Sequence, residues 1–212
     1  MTVEISSLSP NVLTSITYPV VEMFHSVQGE GTWAGTNAFF IRLGGCDVGC
    51  SWCDTKESWP MNHHPQESLK RLLEAAKGVN PSMVVITGGE PLLHDLHPLT
   101  EALHGAGLCL HLETSGAHPF SGCFDWVTFS PKRFKPPHES IYKRVDELKV
   151  VVCDRADLEW AELQGEKVGE FATKYLQPEW NSPSSQKLVF DYVLAHPDWR
   201  ISLQTHKFLG VL

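Results

Sequence analysis

Positive charge is scarce in this sequence. Its 212 residues hold 17 Lys and Arg against 25 Asp and Glu, for a formal net charge of −8 and a pI near 5.7. A protein that grips a nucleic-acid backbone normally carries the opposite excess, so that class is excluded and a small substrate is expected. No run of about eighteen apolar residues occurs, and no membrane partner is expected. The start, Met1-Thr2-Val3-Glu4-Ile5, has neither a basic n-region nor an apolar h-region. Repeats and low-complexity tracts are missing. Cysteine is sparse, with six in the chain and half of them in one loop, which does not describe a secreted disulfide framework. A soluble, cytoplasmic protein is expected. With 42% hydrophobic content and no linker-like stretch, one domain over residues 1–212 is expected.

Short apolar strands alternate with amphipathic helices. Strands are predicted at 37–43, 83–86, 108–112, 126–129, 148–152, 175–176 and 200–203. Helices are predicted at 66–77, 95–105, 154–163 and 184–195. In the first of these helices Leu69, Leu72, Leu73 and Ala76 follow the i, i+3, i+4, i+7 pattern. Strands spaced by helices indicate parallel β/α units, hence an α/β fold with a mainly parallel sheet, built as a covered sheet or a partial, open β/α barrel.

Three of the cysteines, Cys46, Cys50 and Cys53, stand at C-x3-C-x2-C spacing just after the predicted strand at 37–43. A [4Fe-4S] cube normally takes four thiolates, so a local set of three leaves one iron open to a non-protein ligand. Structural zinc with His63 or His64 as fourth ligand is an alternative, since Cys3His is a common tetrahedral set. Three buried free thiols are another. Gly44, Gly45, Asp47 and Gly49 mark a loop, a poor place to hide thiols, and the spacing favours the cluster.

Polar residues gather at the carboxyl ends of the predicted strands: Thr87-Gly88-Gly89-Glu90-Pro91, Glu113-Thr114-Ser115-Gly116, Ser130-Pro131-Lys132, Gln177-Pro178 and Gln204-Thr205-His206-Lys207, with Lys149 inside its strand. In β/α barrels the active site lies at that face. Singly, each reads as an ordinary turn or loop start; together they mark one functional face.

The triad with Trp52 before Cys53, followed by Thr87-Gly88-Gly89-Glu90-Pro91, resembles the radical S-adenosylmethionine (SAM) superfamily. Phe24-His25-Ser26-Val27-Gln28-Gly29-Glu30-Gly31, Arg42, Cys53-Asp54-Thr55 and Gln204-Thr205-His206-Lys207-Phe208-Leu209-Gly210 resemble, more narrowly, the 7-carboxy-7-deazaguanine synthase family, from about residue 22 onward. The resemblance implies that Cys46, Cys50 and Cys53 ligate a [4Fe-4S] cluster. It implies SAM contacts from Trp52, Cys53, Asp54, Gly89, Ser130, Pro131, Lys132, Gln177, Pro178, Glu179 and Trp180. Glu90 is suited to the SAM amino group, and Glu113 and Ser115 to its ribose or methionyl part, with capping as their structural alternative.

The same resemblance implies 6-carboxy-5,6,7,8-tetrahydropterin as substrate, bound by Val27, Gln28, Gly29, Glu30, Arg42, Thr87 and Leu212. Arg42 offers a planar fork to a carboxylate or carbonyl, although it could equally pair with a neighbouring acid. Leu212 stands where the family pattern leads one to expect proline. Thr55 matches a position that gives a hydroxyl to Mg2+, an ion that takes few protein ligands. The implied reaction is a radical ring contraction with loss of ammonia, giving 7-carboxy-7-deazaguanine on the route to queuosine and other 7-deazapurines. A homodimer and a flavodoxin-like reductant are the implied partners, and Lys132, Arg133, Lys135, Lys143 and Arg144 form a candidate basic patch for the latter.

A glycyl-radical activating enzyme shares the triad, and a zinc-stabilised interaction module is the non-enzyme alternative. Cys109, Cys123 and Cys153 are expected as buried structural thiols. His94, His97, His104 and His111 are expected as surface or partly buried residues without a role.

Overall fold

The structure, a computed structural model, describes residues 9–212. After a short helix α1 (Pro10–Ser15) come β1 (Thr17–Val27), β2 (Asn37–Leu43), β3 (Gln66–Ser68), α2 (Leu69–Gly78), β4 (Met83–Gly88), α3 (His97–Gly105), β5 (Leu110–Thr114), β6 (Trp126–Phe129), β7 (Glu147–Val152), α4 (Arg155–Gly165), β8 (Thr173–Pro178), α5 (Pro183–Ala195), β9 (Trp199–Ile201) and α6 (Thr205–Leu209). The strands form one nine-stranded sheet in the order β3-β1-β2-β4-β5-β6-β7-β8-β9. β1 runs antiparallel to β2 and β3, and every pairing from β2 outward is parallel. β3 and β9 remain as two edges, so the barrel is open, as expected.

Alternation along the strands divides the sheet into two chemistries, because successive side chains point to opposite faces. Ile41 and Leu43 of β2, Ile86 of β4, Leu112 of β5, Phe129 of β6, Leu148 and Val150 of β7 and Leu176 of β8 pack under Leu69 and Leu72 of α2, Leu99 and Leu103 of α3, Leu158 of α4 and Val189 of α5. The intervening residues face the concave side. Near the amino ends of the strands this side is apolar, with Ala38, Phe40, Met83 and Val85. Toward the carboxyl ends it turns polar, with Arg42, Thr87, Glu113, Lys149 and Gln177.

Two expectations change. Residues 66–68 form a strand rather than the first turn of a helix, because they pair with Thr17–Pro19 of β1, and Ser68 then caps α2 by accepting from the Arg71 amide at 3.3 Å. The long antiparallel β1 and the helix α6 add to the predicted elements. Among the described residues no helix is long and apolar enough to cross a membrane.

Candidate active site

A cavity of about 620 Å³ opens at the carboxyl ends of the strands. The thiols of Cys46, Cys50 and Cys53 line it together, on a loop pinned by backbone bonds. The amides of Gly45 and Cys46 donate to the carbonyls of Ser58 and Trp59 at 2.7 and 3.0 Å, and the Glu90 amide donates to the Gly45 carbonyl at 2.8 Å. Gly45 and Gly49 take φ of 100° and 77°, where a side chain is strained. Gly89 passes so close to this loop that a Cβ there would lie 2.2 Å from the Gly45 carbonyl oxygen.

The donor set fits an iron–sulfur cube better than a single ion. The cavity wall carries three sulfurs but neither His63 nor His64, and among the described residues no three His, Cys, Asp or Glu side chains converge as ligands for one metal. Burial pushes the Cys50 thiol up to about 11 and raises that of Cys46. A bound cationic metal would favour their thiolates. Cys46 and Cys53 pack with Val48, Ala117 and Trp52 in a small apolar group around Cys50.

Trp52, Asp54, Gly89, Ser115, Ser130, Gln177, Pro178, Glu179 and Trp180 line the same cavity as the thiols. The Lys132 ammonium donates to the Ser130 carbonyl at 2.7 Å and sits 5.5 Å over the Trp52 ring. Burial lowers its pKa. Two expected members of this set do not reach the cavity. Pro131 is absent from its wall. Glu90, only 1% exposed, points into the protein. A carboxylate buried that deeply must collect donors, and Glu90 accepts from the Leu92 amide, the Thr114 hydroxyl, and the Ser115 amide and hydroxyl. It ties the Gly-Gly-Glu-Pro loop to the end of β5.

Val27, Gln28, Gly29, Glu30, Arg42, Thr87 and Leu212 line it too. Arg42 donates through Nε to Glu22 at 2.7 Å and lies 5.9 Å from the centre of the Phe24 ring, itself stacked on Phe40. The Ser26 hydroxyl donates to the Leu212 oxygen at 2.6 Å. Thr55 also lines the cavity, its hydroxyl 3.8 Å from the Cys53 sulfur.

Several lining residues were not assigned from the sequence. Lys149 Nζ donates to Glu30 at 2.5 Å and Glu113 at 2.9 Å. Gln204 donates to Glu30 at 2.8 Å. His206 packs so tightly on Gly29 that a Cβ at Gly29 would strike its ring. Strand alternation could have placed Lys149 on the concave face; the tail residues carried no local signal beyond their motif. Burial raises the Glu30 pKa, but Lys149 outweighs it and holds the carboxyl at about 2. Burial raises Glu113, the Lys149 ammonium opposes this, and the Glu30 and Glu147 charges add to the rise. Burial opposes the Lys149 charge too, yet Glu113, Glu30 and Glu147 hold it protonated above the usual lysine range.

Other expectations are corrected. Cys109 and Cys123 are exposed and Cys153 is half-buried, because the first two sit in irregular loop segments ahead of β5 and β6 and not within the core. His111 is buried rather than at the surface or partly buried. The basic patch is largely neutralised: Lys132 is turned into the cavity, Arg133 lies 3.1 Å from Asp157, and Lys135 lies 2.6 Å from Asp47. Lys143 and Arg144 stay exposed.

An open, mostly parallel β/α barrel with three thiols on a loop at its carboxyl face defines a class, and the sequence profile of the Radical SAM superfamily matches residues 40–151. A 7-carboxy-7-deazaguanine synthase from Synechocystis is 54% identical over 94% of this chain and 96% of its own. The enzyme of that name from Escherichia coli is 37% identical over 92% of this chain and 99% of its own. The crystal structure of QueE from Escherichia coli superposes with a TM-score of 0.83 at 35% identity, covering 95% of this chain and all of that one. The chain belongs to the radical SAM superfamily and, within it, to the family of the 7-carboxy-7-deazaguanine synthases.

Proposed function

We propose that this protein converts 6-carboxy-5,6,7,8-tetrahydropterin to 7-carboxy-7-deazaguanine with loss of ammonia, a step toward queuosine and related 7-deazapurines. The observation that carries the reading is that one cavity joins three thiols to a polar wall of Gln28, Glu30 and Arg42. Radical hydrogen abstraction is the chemistry that a [4Fe-4S] cluster and SAM bring to such a cavity when bound. Cys46, Cys50 and Cys53 would hold the cluster. Trp52, Asp54, Gly89, Ser130, Lys132 and Gln177 to Trp180 would hold SAM, with Glu113 and Ser115 nearby.

In the same cavity, Glu30 is kept ionised by Lys149 and so can accept from the N–H edge of an aminopyrimidine. Arg42, steadied by Glu22 and the Phe24 face, would take the substrate carboxylate or carbonyl. Val27, Gln28, Gly29, Thr87 and Leu212 would complete the pterin site. Thr55 would offer a hydroxyl to Mg2+, which keeps most of its waters.

A glycyl-radical activating enzyme would have to admit a protein segment, and the ionised Glu30 with its amide donors suits a small polar heterocycle instead. A homodimer finds support in the apolar side chains of Phe190, Leu194, Leu203 and Phe208, exposed around the free edge at β9; sedimentation of the wild type against a Phe190→Glu variant tests it. A flavodoxin-like reductant in the cytoplasm would meet Lys143 and Arg144 as the unneutralised part of the basic segment. The test of the reaction is anaerobic incubation with reductant, SAM, Mg2+ and the carboxy-tetrahydropterin, followed by mass analysis. The expected product is 7-carboxy-7-deazaguanine; cluster-loaded protein that leaves the pterin unchanged counts against the assignment.

A further inference from the structure

One ammonium meets two carboxylates at the floor of the cavity. Lys149 Nζ lies 2.5 Å from Glu30 Oε2 and 2.9 Å from Glu113 Oε2, with its side chain 3% exposed. Glu30 arrives from the loop after β1, Glu113 from β5 and Lys149 from β7, so three separate segments converge on a single positive charge. Each carboxylate keeps amide donors on its other oxygen: Gln177 and Gln204 on Glu30 at 3.1 and 2.8 Å, and Gln28 on Glu113 at 3.1 Å.

We propose that Lys149 is a positioning residue shared by the pterin and SAM sites, its one ammonium holding Glu30 toward the pterin and Glu113 toward SAM, on the reading of the cavity given above. Buried carboxylates tolerate charge only when paired. The other titratable groups facing this pair are Glu147 on β7, His206 from the tail and Lys132 from the loop after β6. None of them replaces Lys149: Glu147 has the wrong sign, His206 is kept from charging by burial, and Lys132 is engaged with Ser130. With Lys149 neutralised, two buried carboxylates share a site without a cation. One then takes a proton near neutral pH, and a protonated Glu30 has lost acceptor strength for the pterin N–H edge.

The experiment measures binding of 6-carboxy-5,6,7,8-tetrahydropterin and of SAM to anaerobic, cluster-loaded protein by calorimetry between about pH 6 and 8, with each variant referred to wild type so that titration of the ligands cancels. Lys149→Met is expected to weaken both ligands by at least roughly tenfold. Its pterin affinity relative to wild type should fall further as pH drops, approaching about tenfold per pH unit for one linked proton. Lys149→Arg keeps the charge and should show no such slope. Lys149→Met/Glu30→Gln has no carboxylate left to titrate where the pterin is bound, so its pterin profile should be flat again; it also serves if the single variant does not fold. A pH-independent loss in Lys149→Met, an unchanged SAM affinity, or a sloped profile in the double variant overturns the proposal. Wild type that binds SAM but no pterin at any pH overturns the functional reading itself.

Discussion

Lys207 and Asp54 stand 153 positions apart, yet the Lys207 ammonium donates to Asp54 Oδ2 at 3.0 Å. The contact closes α6 over the cysteine loop, because Asp54 directly follows Cys53. The same ammonium lies 5.3 Å over the Trp180 ring and donates to Gln204 at 2.9 Å. Asp54 is well exposed, and ion pairs of this kind contribute under about 1 kcal/mol to folding. Lys207→Met should therefore leave the melting temperature nearly unchanged. Both partners line the cavity beside Trp180, so SAM affinity should weaken by about fivefold, the equivalent of roughly 1 kcal/mol. Calorimetry with SAM on the cluster-loaded variant checks this; an unaltered SAM affinity rules it out.

Cys46→Ala, Cys50→Ala and Cys53→Ala should each lose iron, sulfide and the brown colour of the loaded protein, since three thiolates are the minimum for this type of site. Cys109→Ala should keep all of these, because Cys109 is exposed and outside the cavity wall. Iron and sulfide analysis after anaerobic reconstitution decides the matter. Retention of four irons by Cys50→Ala would remove the basis for the cluster.

The concave site was legible wherever function sits in a local motif. The cysteine loop, the Gly-Gly-Glu-Pro turn and the Gln-Gly-Glu-Gly block could be read directly, and the structure brings all three to one cavity. The parallel sheet was legible because apolar runs such as Met83–Ile86 and Leu148–Val152 have helices between them. What escaped was long-range pairing. Glu90 reads as a ligand until its donors arrive from Thr114 and Ser115, which sit beyond an intervening helix. Lys149 could be placed on the functional face, but its two partners, Glu30 and Glu113, could not. The basic run near residue 133 looked free until Asp157 and Asp47 neutralised much of it. Charge partners are fixed by topology, and sequence spacing does not carry them.

Gly89→Ala should damage the site from outside the thiols. The new methyl group would fall 2.2 Å from the Gly45 carbonyl oxygen and 3.0 Å from the Cys46 Cβ. A backbone oxygen held by the Glu90 amide has little room to retreat. Overpacking against fixed backbone costs about 1–3 kcal/mol, so the apoprotein should melt at a lower temperature. The loop carrying Cys46 should also shift, reducing cluster content after reconstitution. A variant with wild-type melting and full iron would show that the Gly45 loop yields freely.

The last expectation concerns acid. His111 lies on the concave face near the amino end of β5, with Trp33 and Trp126 at ring-centre distances of 5.3 and 6.3 Å. Burial lowers its pKa from 6.5 to about 4, against a smaller opposing pull from Asp125. Between those values the unfolded chain binds a proton that the folded protein refuses. The stability contributed by a neutral His111 is therefore whole above pH 6.5 and is lost as the pH falls through 6.5 toward about 4. At 1.36 kcal/mol per pH unit the loss amounts to about 3 kcal/mol. His111→Phe keeps a flat ring between the two tryptophans and has nothing to protonate. Urea unfolding of both proteins from about pH 7 to about pH 4 should show the wild type losing about 3 kcal/mol more than the variant across that window. Parallel stability curves would mean that His111 accepts its proton without leaving the aromatic cluster.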